Sequence, residues 1–337
     1  MAGVILRSWF DGFRRVFAAR AVIVSVFLVT LLAALPLAIT MRGMIEAHLG
    51  RSLRSDAVAD GADNDWWQEF TAQASGLGTT FTPSVIGFAT TLDSVGSVLD
   101  ARPQQVQVAG ALAIYLGVWV FLSGGVLDRY ARQRPTHAHG FFAAAGVFFW
   151  RFLRLGIIAA IVYWFLFTYV HKWLFDDLYP WLTRDLAVER DAFLWRVALY
   201  LLFGSMLIKS TLIFDYARIR MVVEDRRSAI GSLAAALGFI IRRRGRAFGL
   251  YALNALVFLV LIGVWALVAP GAGGAGLSMW AGFALSQIYV LARLLLKLQF
   301  MASQTALFQG SLAHAAYTAV PELTWPESPA AETIRAG

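Results

Sequence analysis

Two patterns of apolar and polar positions alternate along this chain. The first is helical and amphipathic: Leu6, Trp9, Phe10, Phe13, Val16 and Phe17 recur three and four residues apart, with Arg7, Asp11, Arg14 and Arg15 at the intervening positions. The second is the long apolar run. Six segments, about 21–40, 106–126, 155–171, 193–214, 249–268 and 279–300, approach the roughly 20 residues that cross a hydrocarbon layer of about 30 Å. The pattern predicts an all-α membrane protein with about six transmembrane helices.

The two patterns come in order more than once. Ile230, Leu233, Ala234, Leu237, Ile240 and Ile241 repeat the first amphipathic spacing, and Phe142, Ala143, Phe149 and Trp150 fit it with Gly146 and His139 at two apolar places. Span two ends in Asp128-Arg129-Tyr130-Ala131-Arg132 and span four in Asp215-Tyr216-Ala217-Arg218. Span six ends in Phe300-Met301-Ala302-Ser303, which keeps the small residue and loses the charges. We read a single membrane domain, 1–320, of three repeated units, about 1–126, 127–218 and 219–310. Each is a cytoplasmic interfacial helix followed by a transmembrane hairpin. Whether the units pack around a pseudo-threefold axis or in a row is left open.

Composition agrees. The apolar share is 59% and the mean hydropathy +0.64, above the roughly 45–50% apolar share of soluble domains. The net charge of +8 matters through its placement. Arg7, Arg14, Arg15 and Arg20 precede span one; Arg129, Arg132, Arg134, Arg151 and Arg154 lie between spans two and three. Arg218, Arg220, Arg226, Arg227, Arg242, Arg243, Arg244 and Arg246 lie between spans four and five. The positive-inside rule puts these regions and both termini in the cytoplasm. Residues 41–105, a periplasmic insertion on this reading, and 172–191 are rich in Asp and Glu and face the other side. Scarce Lys beside abundant Arg and Ala suggests a GC-rich bacterial genome and hence an inner membrane. The first apolar run, behind a 20-residue amphipathic leader, reads as an anchor rather than a cleaved signal. Without Cys there is no thiolate ligand, thiol nucleophile or disulfide.

Between the spans, Gly61–Phe70 reads as a turn followed by a Trp pair at headgroup level. Thr82-Pro83 opens a helix with Val85, Phe88, Leu92, Val95 and Leu99 on one face, lying along the outer leaflet or over the bundle. Gln133-Arg134-Pro135-Thr136 is a turn, Pro270-Gly271-Ala272-Gly273-Gly274 a tight hairpin, and the tail 321–337 is expected to be disordered and cytoplasmic.

Candidate chemistry centres on cations inside apolar spans. Lys209, Arg293 and Lys297 each carry an insertion cost of about 2.5–3.5 kcal/mol at a span centre. Arg293 and Lys297, four apart, share a helix face, with Ser286 and Gln287 further along the same helix. Lys209, Gln287, Arg293 and Lys297 form either an anion or lipid-headgroup site or a set that snorkels to the cytoplasmic headgroups, the reading favoured here. Asp128 and Asp215 are expected to pair locally with Arg132 and Arg218, and Glu224-Asp225 to cap the third interfacial helix. Trp9, Phe10, Phe13, Arg14, Arg15, Phe17, Trp150, Arg151, Arg242 and Arg243 are expected to contact the anionic leaflet. His137 and His139 lack the company of a metal site. Ser205 has Lys209 as its one candidate base. No phosphate-binding or dinucleotide motif is present, so no metal or cofactor is expected, and no nucleic-acid partner.

Phe214-Asp215-Tyr216-Ala217, then Val223-Glu224-Asp225, Ala229-Ile230 and Ser232 before an amphipathic helix, resemble bacterial polytopic membrane domains of unknown function. These include the membrane domain appended to some glycerophosphodiester phosphodiesterases. The likeness covers about residues 214–258; the phosphodiesterase barrel is absent, so the resemblance implies a shared membrane architecture and no activity. The sequence reading is therefore a non-catalytic scaffold, assembly factor or partner subunit that organises lipid or other membrane proteins. The alternatives are a permease-like component with a polar cavity lined by Lys209, Arg293 and Lys297, and a lipid-headgroup enzyme. Client and oligomeric state are not legible.

Overall fold

The computed structural model describes residues 2–61, 63–81, 96–97, 99–102, 106–133, 137–270 and 276–313. The helix expected from Thr82-Pro83, residues 134–136 of the turn, residues 271–274 of the hairpin and the tail from Pro321 lie outside them. Every regular element among the described residues is helical. In chain order the α-helices are α1 (Ala2–Phe17), α2 (Arg20–Leu49), α3 (Ser55–Asp60), α4 (Asn64–Gln73), α5 (Val106–Arg132), α6 (Ala138–Phe165), α7 (Tyr179–Thr183), α8 (Glu189–Val223), α9 (Ala229–Arg242), α10 (Arg244–Val268) and α11 (Leu277–Ala313), with a short 3-10 helix, Gly76–Thr80, after α4. Six of the helices, with α6 and α7 joined as one rod through residue 183, are long and apolar enough to cross a membrane. The chain is thus a multi-pass helical protein, as the six apolar runs predict.

The amphipathic stretch around 139–150 forms the first turns of α6 and runs into the third apolar run without a break. Beyond Phe165 the rod loosens into wider i to i+5 turns, Leu166–His171 and Trp173–Leu178. α5 and α6 form a close antiparallel hairpin because glycines let them approach. A Cβ on Gly125 would lie 2.8 Å from the Phe141 carbonyl oxygen, and one on Gly124 3.0 Å from the Phe148 side chain.

The last helix is the hub. The sixth apolar run was expected to end near Ser303, but α11 continues to Ala313, and the whole stretch Met301–Phe308 is buried. α1 and the neighbouring ends of α5, α8 and α10 surround it, and Phe239 of α9 packs on its Phe308. Its polar side chains point into that packing: Gln299 donates to the Trp9 carbonyl at 2.8 Å, and Asn254 of α10 donates to the Ser303 hydroxyl at 3.0 Å. Gly12 of α1 lies so close to α11 that a Cβ there would come within 2.8 Å of Ser303.

Arg-rich helix ends converge around this hub. Arg129 donates to the Ala18 carbonyl at 3.2 Å, Arg243 to the Ser311 carbonyl at 3.1 Å, and Arg151 to Asp225 at 2.5 Å. At the far end, α3 and α4 fold back on α2: Arg54 pairs with Asp65 at 2.8 Å, and Trp66 and Phe70 pack edge-on against His48. Trp66, expected at headgroup level, is buried in this cluster; Asp63 caps α4 by accepting from the Trp66 amide, which turns the ring inward.

Two local expectations need correction. Ser228, not Glu224-Asp225, caps α9, accepting from the Gly231 amide at 3.1 Å. Glu224 closes α8 and is clamped by Arg220 and Arg226, while Asp225 takes a left-handed conformation (φ 49°) that aims it at Arg151. The acids precede the helix by too many residues to reach its free amides. Arg15, expected at the membrane surface, is 8% exposed, because oxygens of α1, α5 and α11 take its donors. It reaches Asp11 at 2.7 Å, Gln309 Oε1 at 2.7 Å and the Tyr130 carbonyl at 2.9 Å.

Candidate functional site

Five spans line an open cavity of about 770 Å³, within the roughly 300–1,000 Å³ typical of small-molecule sites. α2 contributes Thr30, Ala33, Ala34 and Leu37, and α5 contributes Val108, Ala111, Leu112, Tyr115 and Trp119. Thr211, Asp215 and Arg218 come from α8, and Tyr251 and Phe258 from α10. The widest wall is α11, from Val290 through Arg293, Leu294, Leu296 and Lys297 to Met301. The small residues of α2 and α5 leave this volume open where larger side chains would close it.

The α11 wall owes its charge to helical spacing. Arg293 and Lys297 lie one turn apart, so both meet the same space. The Lys297 ammonium sits 3.5 Å from the centre of the Trp119 ring and 5.2 Å from that of Tyr115, a cation–π seating that substitutes for lost water. It donates to the Tyr115 hydroxyl at 3.4 Å. An ammonium carries three donors, and the bond to Tyr115 is its one hydrogen bond among the described residues. Arg293 rests 5.6 Å from the Tyr289 ring centre on its own helix. Asp215 and Arg218 pair with each other, and Gln304 also donates to Asp215 at 3.4 Å. The pair cancels, which leaves the two α11 cations as an uncompensated charge of two.

Sequence spacing brought Arg293 and Lys297 to attention, and both line the cavity. Lys209 is exposed on α8 outside the lining, and Gln287 on α11 is half-buried outside it. Arg218, Asp215, Tyr115 and Trp119 join instead. Asp215 and Arg218 stood in the sequence as a local pair, which they form, as do Asp128 and Arg132 at 2.7 Å. Nothing in one sequence says that the α8 end leans against α11. Ser205 donates to the Leu202 carbonyl at 2.7 Å, the usual use of a helical hydroxyl.

The residues expected to touch lipid divide in two. Phe10, Arg14, Phe17, Trp150 and Arg242 are exposed, and Trp9 and Phe13 are half-buried. Arg15 and Arg151 are turned into the protein, and Arg243 is half-buried on Ser311 and the Phe239 ring. Burial pulls the Arg15 guanidinium below its ordinary range, and Asp11 offsets part of the shift.

A second cluster lies near the wide turns after α6. His171 donates from Nε2 to the Leu99 carbonyl at 2.7 Å and packs on Phe175 and Phe203 at 4.6 and 5.1 Å between ring centres. Tyr200 donates to Asp100 at 2.5 Å. This donation, and then Arg102 and Arg196 nearby, hold the Asp100 carboxyl below the usual carboxylate range. No group of three or more His, Cys, Asp or Glu residues suited to a metal occurs among the described residues. No protein-family model matches the chain, and neither do curated proteins or solved structures.

Proposed function

We propose that this chain is a non-catalytic, permease-like component of the bacterial inner membrane, with its Arg-rich end and both termini in the cytoplasm, that receives an anionic ligand in its intramembrane cavity. One observation carries the reading: Arg293 and Lys297 line a space shared by five spans, with no carboxylate among the lining residues left to neutralise them. Two like charges one turn apart repel, and Lys297, half-buried among apolar side chains, resists that burial, while Arg293 stands exposed at the edge of the space. An anion between them relieves both penalties. The three related units supply the frame on this reading, and the resemblance of residues 214–258 to polytopic bacterial domains is consistent with it.

The scaffold reading stands second, supported by the exposed aromatic faces. Phe10 is 63% exposed and Trp150 67%, and both suit a lipid surface or a membrane-protein partner. The two readings separate in a strain lacking the gene. Arg293→Gln and Lys297→Gln, accumulating at wild-type level, should fail to restore the deletion phenotype, whereas Lys209→Gln should restore it. If the cavity variants restore it and replacement of Phe10 and Trp150 does not, the protein is a scaffold.

A further inference from the structure

The cavity is divided by polarity along its length, which a site for a small water-soluble ion does not require. On α5 the lining begins with Val108, Ala111 and Leu112 and reaches Tyr115 and Trp119; the stretch from 108 to 119 rises about 16 Å along the helix. Lys297 meets the aromatic part, on Trp119, with Asp215 and Arg218 also in the lining, and Arg293 lies one turn away, exposed. The other part is walled by alanine and branched aliphatic side chains and opens outward, where Ala34 is exposed and Leu112 is 50% exposed. In a membrane that opening faces acyl chains. A hydrophilic anion gains nothing from such walls, whereas an alkyl chain loses its exposure to polar surroundings along the whole length.

We infer that the occupant is an amphiphile with an anionic phosphate or carboxylate head, held with its head between Lys297 and Arg293 and its chain along Ala33, Leu37, Val108 and Leu112. The inference rests on the proposed function, in that the cavity is taken as a ligand site. The head supplies oxygens for the Lys297 ammonium, whose one hydrogen bond among the described residues is to Tyr115, and for the exposed Arg293 fork, which suits phosphate and carboxylate alike. Tyr115 fixes the ammonium from the other side. The chain accounts for the small side chains of α2 and α5, whose absent bulk is the channel.

The test uses the full chain in a non-ionic detergent and three probes: dodecyl phosphate, inorganic phosphate and dodecanol. Dodecyl phosphate should raise the melting temperature of the wild type and bind saturably. Binding should weaken about tenfold or more in Lys297→Gln, a loss of about 1.4 kcal/mol, and persist in Lys297→Arg, which keeps the charge and shows that the site folds. Ala111→Trp, which fills the chain channel and leaves the cations in place, should abolish binding of dodecyl phosphate. Inorganic phosphate and dodecanol should each shift the melt little. If inorganic phosphate stabilises as well as dodecyl phosphate, the amphiphile inference falls and the anion-binding reading stands. If dodecanol matches dodecyl phosphate, or Lys297→Gln binds like the wild type, the cations are not the head site and both fall.

Discussion

Arg14 and Arg15 are adjacent in the chain and opposite in role. Arg14 is exposed, while the Arg15 guanidinium is enclosed by Asp11, Gln309 and the Tyr130 carbonyl. A surface charge near an anionic leaflet contributes about 1 kcal/mol, but removing one member of a buried charged network costs about 3–5 kcal/mol because its partners are left unpaired. Arg15→Gln should therefore lower the melting temperature of the purified protein markedly and Arg14→Gln hardly at all. Equal shifts would mean that α1 has been placed on the wrong face. The same pair shows what a sequence withholds. Helical spacing put Arg15 on the polar face of α1, correctly, but part of that face, through Ser8, Gly12 and Arg15, meets α11. Two of these residues are polar and one has no side chain, so an apolar-periodicity reading passes over them. Arg293 and Lys297 were legible for the opposite reason: a charge inside a long apolar run stands out whatever surrounds it.

Among the elements, the six long helices were plain from run length, because backbone polar groups in a bilayer leave a helix few alternatives. Their ends were not. α11 extends past Ser303 because its continuation is buried in protein rather than bounded by a membrane surface, and hydropathy alone does not separate the two. The segment around Leu99 and Asp100 is tied to the α6 rod and to α8 by the His171 and Tyr200 hydrogen bonds. Its pH dependence follows from the Asp100 carboxyl, whose affinity for a proton is lowered first by the Tyr200 hydroxyl and then by Arg102 and Arg196. A lowered value means that the folded state favours the ionised form. The contribution is complete above the ordinary Asp range and is lost as pH falls through the lowered value. Protection factors at residues 99–102, which correct for the slower intrinsic exchange in acid, should be high at neutral pH and fall in acid. Tyr200→Phe should show low protection at both, with a flatter pH profile. A wild-type segment that stays equally protected in acid would show that the carboxylate does not hold it.

At the scale of the whole molecule, six spans with Arg-rich ends gathered around α11 leave a volume toward the other end that five helices share. That the chain is a multi-pass membrane protein was visible in its composition and apolar runs. The cavity was not, because it depends on which faces of α2, α5, α8, α10 and α11 meet, and small residues such as Ala33 and Ala111 give no signal until those faces are known. The anion access proposed for it is directly measurable because the chain has no cysteine. Single cysteines at Ala111 and Ile114 sit on the same helix within one turn. Ala111 lines the cavity, whereas Ile114 is 68% exposed on the outer surface of α5 and outside the lining. In native membranes, Ala111→Cys should react with a small anionic thiosulfonate faster than with its cationic counterpart, and Lys297→Gln should erase that preference; Ile114→Cys should stay unreactive toward both. Equal, slow labelling at the two positions, with no preference for the anion, would contradict the account.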